Sequence, residues 1–496
     1  MAIATQNPAT GETLKTFPAL DNTQIDNVLQ QVSAASIGWA MTAVAERAVC
    51  LKRAAQQLRA QRDRYVAIIT LEMGKPVREA RAEVEKCATG CDYYAENAER
   101  FLADEVIATE GGKAAPAFVP VGTASHSALL PSMDGVMPRE GRSPKRPPSV
   151  AGAGKSYVAC QPLGTLFAIM PWNFPFWQAF RAAAPALAAG NTVLLKHASN
   201  VPQCALAIEE IFQASFPANV FRTLLIGPEQ AEKLIADARI HAVTLTGSEA
   251  AGRRIAAAAG THLKKSVLEL GGSDAFVVLA DADLDAAARL AVTSRFLNGG
   301  QSCIAAKRIV LVEAIAGDFL ARFQQRLTQL KQGDPTREDT DLGPMARADL
   351  RDALHRQVTE SISKGAVPLI GCEPVAGPGY YYKVSLLDKV RPGMPAYEDE
   401  LFGPVAAAIR ARDEADALHI ANDSRYGLGG SVCTGDPGKG ETFARAMHCG
   451  QAFVNGVVKS DPRLPFGGIK ASGYGRELAL QGIREFVNIK TIWVKQ

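Results

Sequence analysis

Residues 163–197 read LGTLFAIMPWNFPFWQAFRAAAPALAAGNTVLLKH: an apolar run, a proline-bounded turn, an Ala-rich helical stretch and a second apolar run. Such a unit belongs to a parallel sheet, because parallel neighbours need a crossover of a dozen or more residues, usually a helix. The alternation continues through FRTLLIG, HAVTLTG, KSVLELGG and DAFVVLA. After Cys303 it resumes with KRIVLVEA, AVPLIG, PVAAAIR, GGSVCTG and QAFVNG, so two α/β units in tandem are expected. Upstream, residues 24–103 repeat apolar positions at three- and four-residue spacing and read as amphipathic helices. At the other end, FVNIKTIWVK reads as a strand without a hairpin partner; it must pair elsewhere, another subunit being one option.

The 496 residues allow about three compact units. With 54 Lys+Arg against 51 Asp+Glu, the net charge of +3 is too small a field to gather nucleic acid or anionic lipid. The longest apolar stretch, 163–177, is cut by Pro171 and Pro175 and is too short for a bilayer span, so no membrane partner is expected. The first residues lack the pattern of a secretory or transit peptide, which makes the cytoplasm the expected location. Nine cysteines without CxxC spacing fit reduced thiols, and the seven histidines show no paired-ligand spacing, so no metal site is expected. Residues 114–154 hold seven prolines in 41 residues with no periodicity; they read as a long Pro-rich insertion between two strands.

Candidate chemistry gathers at a few positions. Cys303, in FLNGGQSCIAAKR, has small neighbours that leave its sulfur approachable for covalent catalysis. Taken alone it reads first as a buried small hydrophobe; its company changes that reading. Glu269 ends the apolar run KSVLE, where burial would raise its pKa and suit it to general-base work, a surface carboxylate being the plain alternative. Asn173, in PWNFP, is an amide on a rigid turn that could donate to an oxyanion. Gly247 and Ser248, in LTGSEAAG, form a strand-to-helix turn that would admit a dinucleotide pyrophosphate, although this is not the G-x-G-x-x-G fingerprint.

The ordered blocks PWNFP, LLKHAS, LTGSEAAG, LELGGSD, GGQSC, ELFGPV and PFGGIKASGYGRE resemble the NAD(P)-dependent aldehyde dehydrogenase superfamily, and within it the bacterial succinate-semialdehyde dehydrogenases. The resemblance runs from residue 7 to the last strand, leaving out 114–154. It implies an α/β fold of two Rossmann-like domains with a small β oligomerisation element. The dinucleotide-binding domain would be 1–112 with 163–268, the catalytic domain 269–480, and the β element 113–162 with 481–496. Cys303 would attack the aldehyde, Asn173 and the Cys303 backbone N–H would hold the oxyanion, and Glu269 would activate the water that hydrolyses the thioester.

The resemblance also implies NAD or NADP as cofactor, held by Trp172, Lys196, Ser199, Gly247, Ser248, Glu400 and Phe402. Many NAD-specific relatives carry Lys-Pro-Ser-Glu where this chain reads Lys196-His197-Ala198-Ser199. The acid that would repel a 2′-phosphate is missing, so NADP should be accepted. His197 is expected to be a packing change. Arg181 occupies the position of an arginine that grips the substrate's distal carboxylate in succinate-semialdehyde dehydrogenases. A second arginine, six residues before the cysteine in those enzymes, is here Leu297, with Arg295 nearest. Ser460, Lys459 or Arg463 of NGVVKSDPRLPFGG could replace it, and Ser460 is the first choice. Succinate semialdehyde is therefore the leading substrate, with glutarate semialdehyde and other short aldehydes behind it. A CoA-acylating enzyme would lack Glu269. A homodimer or homotetramer is implied, with the terminal strand extending a neighbouring subunit's sheet.

Overall fold

From the strand Thr165–Met170, chain order runs outward in both directions across a six-stranded sheet. On one side lie Thr192–His197 and then Phe221–Thr223, and on the other Ala242–Thr246 and then Lys265–Glu269, all parallel. The order reverses between Thr165–Met170 and Ala242–Thr246, and an open α/β sheet forms its binding crevice beyond the carboxyl ends of strands at such a reversal. The edge is closed by Gly473–Tyr474, antiparallel to Lys265–Glu269, with Gly473 opposite Glu269.

The computed structural model describes residues 3–107 and 155–494; the expected insertion at 114–154 lies outside the described residues. The chain forms two compact units, one of 1–101 with 162–487 and one of 102–161 with 488–496. In the larger unit, every residue of Thr192–His197 and Ala242–Thr246 is buried, as expected for parallel strands covered on both faces. Ile25, Leu29 and Val32 of the helix Asn22–Met41 pack on Phe167, Leu194 and Val243. The helix Pro175–Ala188 is buried on all sides, with proline at its first position, where the missing N–H costs nothing. Phe176, Phe180, Phe212 and Phe221 stack in series alongside it.

The second sheet of this unit has seven strands, in the order Val367–Ile370, Ser385–Asp388, Val405–Ala411, Arg308–Val312, Ala275–Val278, Gly429–Cys433 and Gln451–Val454. The first pair is antiparallel and the rest are parallel. The α/β class read from the sequence is the class observed. Two differences stand out: FRTLLIG yields only the three-residue strand Phe221–Thr223, and the strand Ser385–Asp388 was not anticipated. In the smaller unit, Glu105–Val106, Lys155–Pro162 and Val487–Val494 form a three-stranded sheet in which Lys155–Pro162 is central. The terminal strand thus finds a partner within its own chain. No helix among the described residues is long and apolar enough to cross a membrane.

Candidate active site

A cavity of about 240 Å³ opens where the strands Thr165–Met170, Ala242–Thr246 and Lys265–Glu269 end, and Trp172, Asn173, Gly247, Ser248, Glu269, Cys303, Glu400 and Phe402 line it. Cys303 follows a turn in which Asn298, Gly299 and Gly300 all have left-handed backbones, with φ of 58°, 61° and 73°. Glycine is required at 300, where a Cβ would lie 2.3 Å from the Gly403 carbonyl oxygen. The Asn298 side-chain amide donates to the Asn173 carbonyl at 2.8 Å and to the Gln301 carbonyl at 3.0 Å, tying this loop to the PWNFP turn.

Glu269 is 1% exposed. Its Oε2 accepts from Arg181 Nη2 at 3.3 Å, and its Oε1 has no hydrogen-bond partner among the described residues. Burial raises the Glu269 pKa, opposed by Arg181 and by the Cys303 thiol that faces it. Burial, and then the Glu269 charge, push the Cys303 thiol well up. A neutral thiol beside a carboxylate of raised pKa is a pair poised to pass one proton. Asn173 Nδ2 donates one hydrogen to the Gln301 carbonyl at 3.1 Å, leaving its second free. The Cys303 backbone N–H has no acceptor among the described residues, so Asn173 and Cys303 each bring an uncommitted N–H to the cavity lining.

Two buried cations hold this arrangement: Lys307, which the sequence reading did not single out, and Arg295, which it named only as the arginine nearest the missing clamp position. Lys307 Nζ donates to the carbonyls of Ser302 and Cys303 at 2.6 and 2.5 Å and pairs with Glu400 Oε1 at 3.0 Å. Arg295 donates to the carbonyls of Gly300, Leu401, Gly403 and Val405, so it fixes the segment carrying Glu400 and Phe402. No pattern in the sequence marks Lys307, which reads only as a basic residue ahead of the apolar strand RIVLV. Glu400 Oε1 also accepts from Gly272 N–H at 3.2 Å, and Phe402 meets Trp172 edge-on at 5.7 Å.

Of the residues expected to hold a dinucleotide, Trp172, Gly247, Ser248, Glu400 and Phe402 line this cavity, and Lys196 and Ser199 do not. Ser248 caps the helix Glu249–Thr261, accepting from Ala251 N–H, and Gly247 N–H donates to the Glu269 carbonyl, joining two strand ends. A Cβ on Gly271 would collide with Glu400 Oε2 at 2.5 Å, so the backbone there is bare towards the carboxylate. Lys196, next to last in the strand Thr192–His197, is 9% exposed and has no carboxylate partner among the described residues. Burial lowers its pKa. Ser199 is partly exposed, and no acid stands between them in sequence. His197 is a packing residue: its Nε2 meets the Pro175 carbonyl at 2.7 Å, its Nδ1 accepts from Ala198 N–H, and burial lowers its pKa to about 4.

Arg181 and Ser460 lie off the cavity lining. Arg181, 2% exposed, is engaged by carboxylates of the chain itself: Glu269, and Glu477 Oε2 at 2.5 Å from its Nε. Burial raises Glu477 to about 7, against the pull of Arg181. The Ser460 hydroxyl accepts from Lys86 Nζ at 2.6 Å and from the Trp177 indole N–H at 3.0 Å. No cluster of metal-ligating side chains occurs among the described residues.

The model of the aldehyde dehydrogenase family matches residues 1–126 and 138–492, running through most of 114–154. A protein of Synechocystis, by name a probable NADP(+) succinate-semialdehyde dehydrogenase, is 46% identical over 495 residues, with all of both chains covered. The NADP(+) succinate-semialdehyde dehydrogenase 1 of Mycobacterium bovis is 44% identical over the full length of both. Among solved structures, the succinic semialdehyde dehydrogenase of Streptococcus pyogenes in complex with NADP+ superposes with a TM-score of 0.89 at 34% identity, covering 99% of this chain and all of the other. With the family model matched over nearly its whole length and a thiol, a carboxylate and an amide converging in its cavity, this chain belongs to the aldehyde dehydrogenase family.

Proposed function

We propose that the chain oxidises succinate semialdehyde to succinate with NADP+, and that NAD+ is also accepted. The observation that carries this reading is the meeting of Cys303, Glu269 and Asn173 in one cavity beside a basic, hydroxyl-bearing cluster of Arg181, Lys86 and Ser460. The names of the full-length relatives point the same way.

Glu269 takes the Cys303 proton, and the sulfur bonds to the aldehyde carbon. Asn173 Nδ2 and the Cys303 N–H hold the oxygen as it gains charge. The bound dinucleotide supplies the hydride acceptor that makes this an oxidation. Glu269 gives the thiol's proton up to solvent and, again a carboxylate, takes one from water, whose oxygen attacks the thioester carbon; the C–S bond breaks, Cys303 leaves as thiolate, and the acid departs. Glu269 also argues against CoA as the acyl acceptor. Lys196 offers a positive charge to the 2′-phosphate of NADP, and Ser199 leaves room for it where an acid would repel it.

We further propose a cytoplasmic homodimer or homotetramer. The edge strand Val487–Val494 exposes Ile489, Trp493 and Val494, a suitable surface for a second copy, and nine free cysteines suit a reducing compartment. The test is a steady-state panel of kcat/KM for succinate semialdehyde, glutarate semialdehyde and butanal, each with NADP+ and NAD+. The reading requires succinate semialdehyde with NADP+ to lead; leadership by butanal would overturn the substrate assignment.

A further inference from the structure

The helix Val77–Leu102 turns Glu83, Lys86 and Gly90 towards the helix Pro175–Ala188. Glu83 Oε1 accepts from the backbone N–H groups of Phe176 and Trp177, capping that helix, and Glu83 also pairs with buried Lys75. Gly90 gives the Trp177 ring its room, since a Cβ there would stand 3.1 Å from it. Lys86 Nζ lies 4.4 Å from the centre of that ring and donates to Ser460 Oγ. Ser460 Oγ already accepts two donors, and its own proton has no acceptor among the described residues.

The result is a group made of donors alone. Lys86 has no carboxylate within ion-pair distance among the described residues, because its neighbour Glu83 is committed to Lys75 and the helix cap. Arg181, one turn beyond Trp177 on the same helix, is engaged by Glu269 and Glu477. An ammonium without an anion beside a hydroxyl with an uncommitted proton is the complement of a carboxylate.

We propose that Lys86, with the Ser460 hydroxyl, is the specificity-determining group that receives the distal carboxylate of an ω-carboxy aldehyde. This rests on the succinate-semialdehyde reading above. Lys86 is partly buried. Burial and then the Arg181 charge lower its pKa to about 8; Lys75 adds to this, and Glu83 and Cys87 oppose it. A substrate carboxylate would reverse that shift.

The experiment compares wild type, Lys86→Met and Lys86→Arg on succinate semialdehyde and butanal. The ratio of the two kcat/KM values should fall on the order of 10- to 100-fold in Lys86→Met, the range of a lost charge-assisted hydrogen bond, and recover in part in Lys86→Arg. An unchanged ratio in a wild type that favours succinate semialdehyde would overturn the role of Lys86 alone. A wild type without that preference would overturn the substrate reading itself. A second measurement needs no variant: inhibition by succinate should weaken as pH rises through about 8, and a flat profile from pH 7 to 9 would overturn the proposal.

Discussion

Arg181 Nη2 lies 3.3 Å from Glu269 Oε2, and both side chains are almost wholly buried. The arginine is therefore a positioning residue for the base, itself anchored by Glu477. Arg181→Ala leaves two buried carboxylates without their cation. It should lower kcat for butanal and succinate semialdehyde alike, by roughly 100-fold, and cost about 3 kcal/mol of stability. Steady-state kinetics with urea denaturation checks this; a loss confined to succinate semialdehyde would assign the guanidinium to the substrate instead.

Glu269→Gln keeps the shape and removes the base. Turnover should fall by roughly 10²- to 10⁴-fold, and the stopped-flow burst of reduced cofactor should slow with it, because the same carboxylate takes the Cys303 proton and activates the water. A burst of undiminished rate and of one equivalent per active site would mean that Glu269 serves hydrolysis alone.

Ser199→Glu restores an acid beside Lys196. We expect kcat/KM with NADP+ to drop about 100-fold and the value with NAD+ to change far less, read from paired cofactor titrations. Equal losses would locate the 2′-phosphate elsewhere.

Lys307→Met removes one cation from two carbonyls and Glu400. Stability should fall by about 3 kcal/mol, and the KM for the dinucleotide should rise, because Glu400 loses its anchor. A normal KM in a folded variant would separate Glu400 from cofactor binding.

Glu477 has a folded-state pKa near 7, above its unfolded value, so the folded chain holds a proton that the unfolded chain releases. Its contribution to stability is present below the ordinary glutamate pKa of about 4.5 and is lost as pH rises to about 7. Glu477→Gln does not titrate. The unfolding free energy of wild type should therefore fall relative to the variant between pH 4.5 and 7, and parallel profiles would contradict the assignment.

The sequence blocks make the strand ends legible, and the catalytic residues sit at or beside those ends. Cys303, Glu269 and Asn173 each have glycine or proline close by that marks a turn, and the family resemblance is what named the three together. The cations that fix them were not legible. Lys86 sits in a helix crowded with charges, where spacing alone reads it as a solvated face. Arg295 reads only as the arginine nearest a missing substrate clamp, and only three-dimensional closure shows its guanidinium among four carbonyls. The strand Ser385–Asp388 is short and flanked by lysines at 383 and 389, so it lacks the turn residues that bounded its neighbours.

The pairing of Gly473 with Glu269 also sets an order of events. Leu270 N–H donates to the Ser472 carbonyl, and the Ser472 hydroxyl donates to Gly271, so the segment carrying the base is stitched at its open edge by residues about 200 positions later. As the chain emerges from the ribosome, the other strands of the six-stranded sheet precede this edge, but the strand Lys265–Glu269 stays unstitched until residues 472–474 have been made. Catalytic competence is thus reserved for the nearly finished polypeptide, and a truncated product lacking that edge would carry Cys303 without a properly seated base.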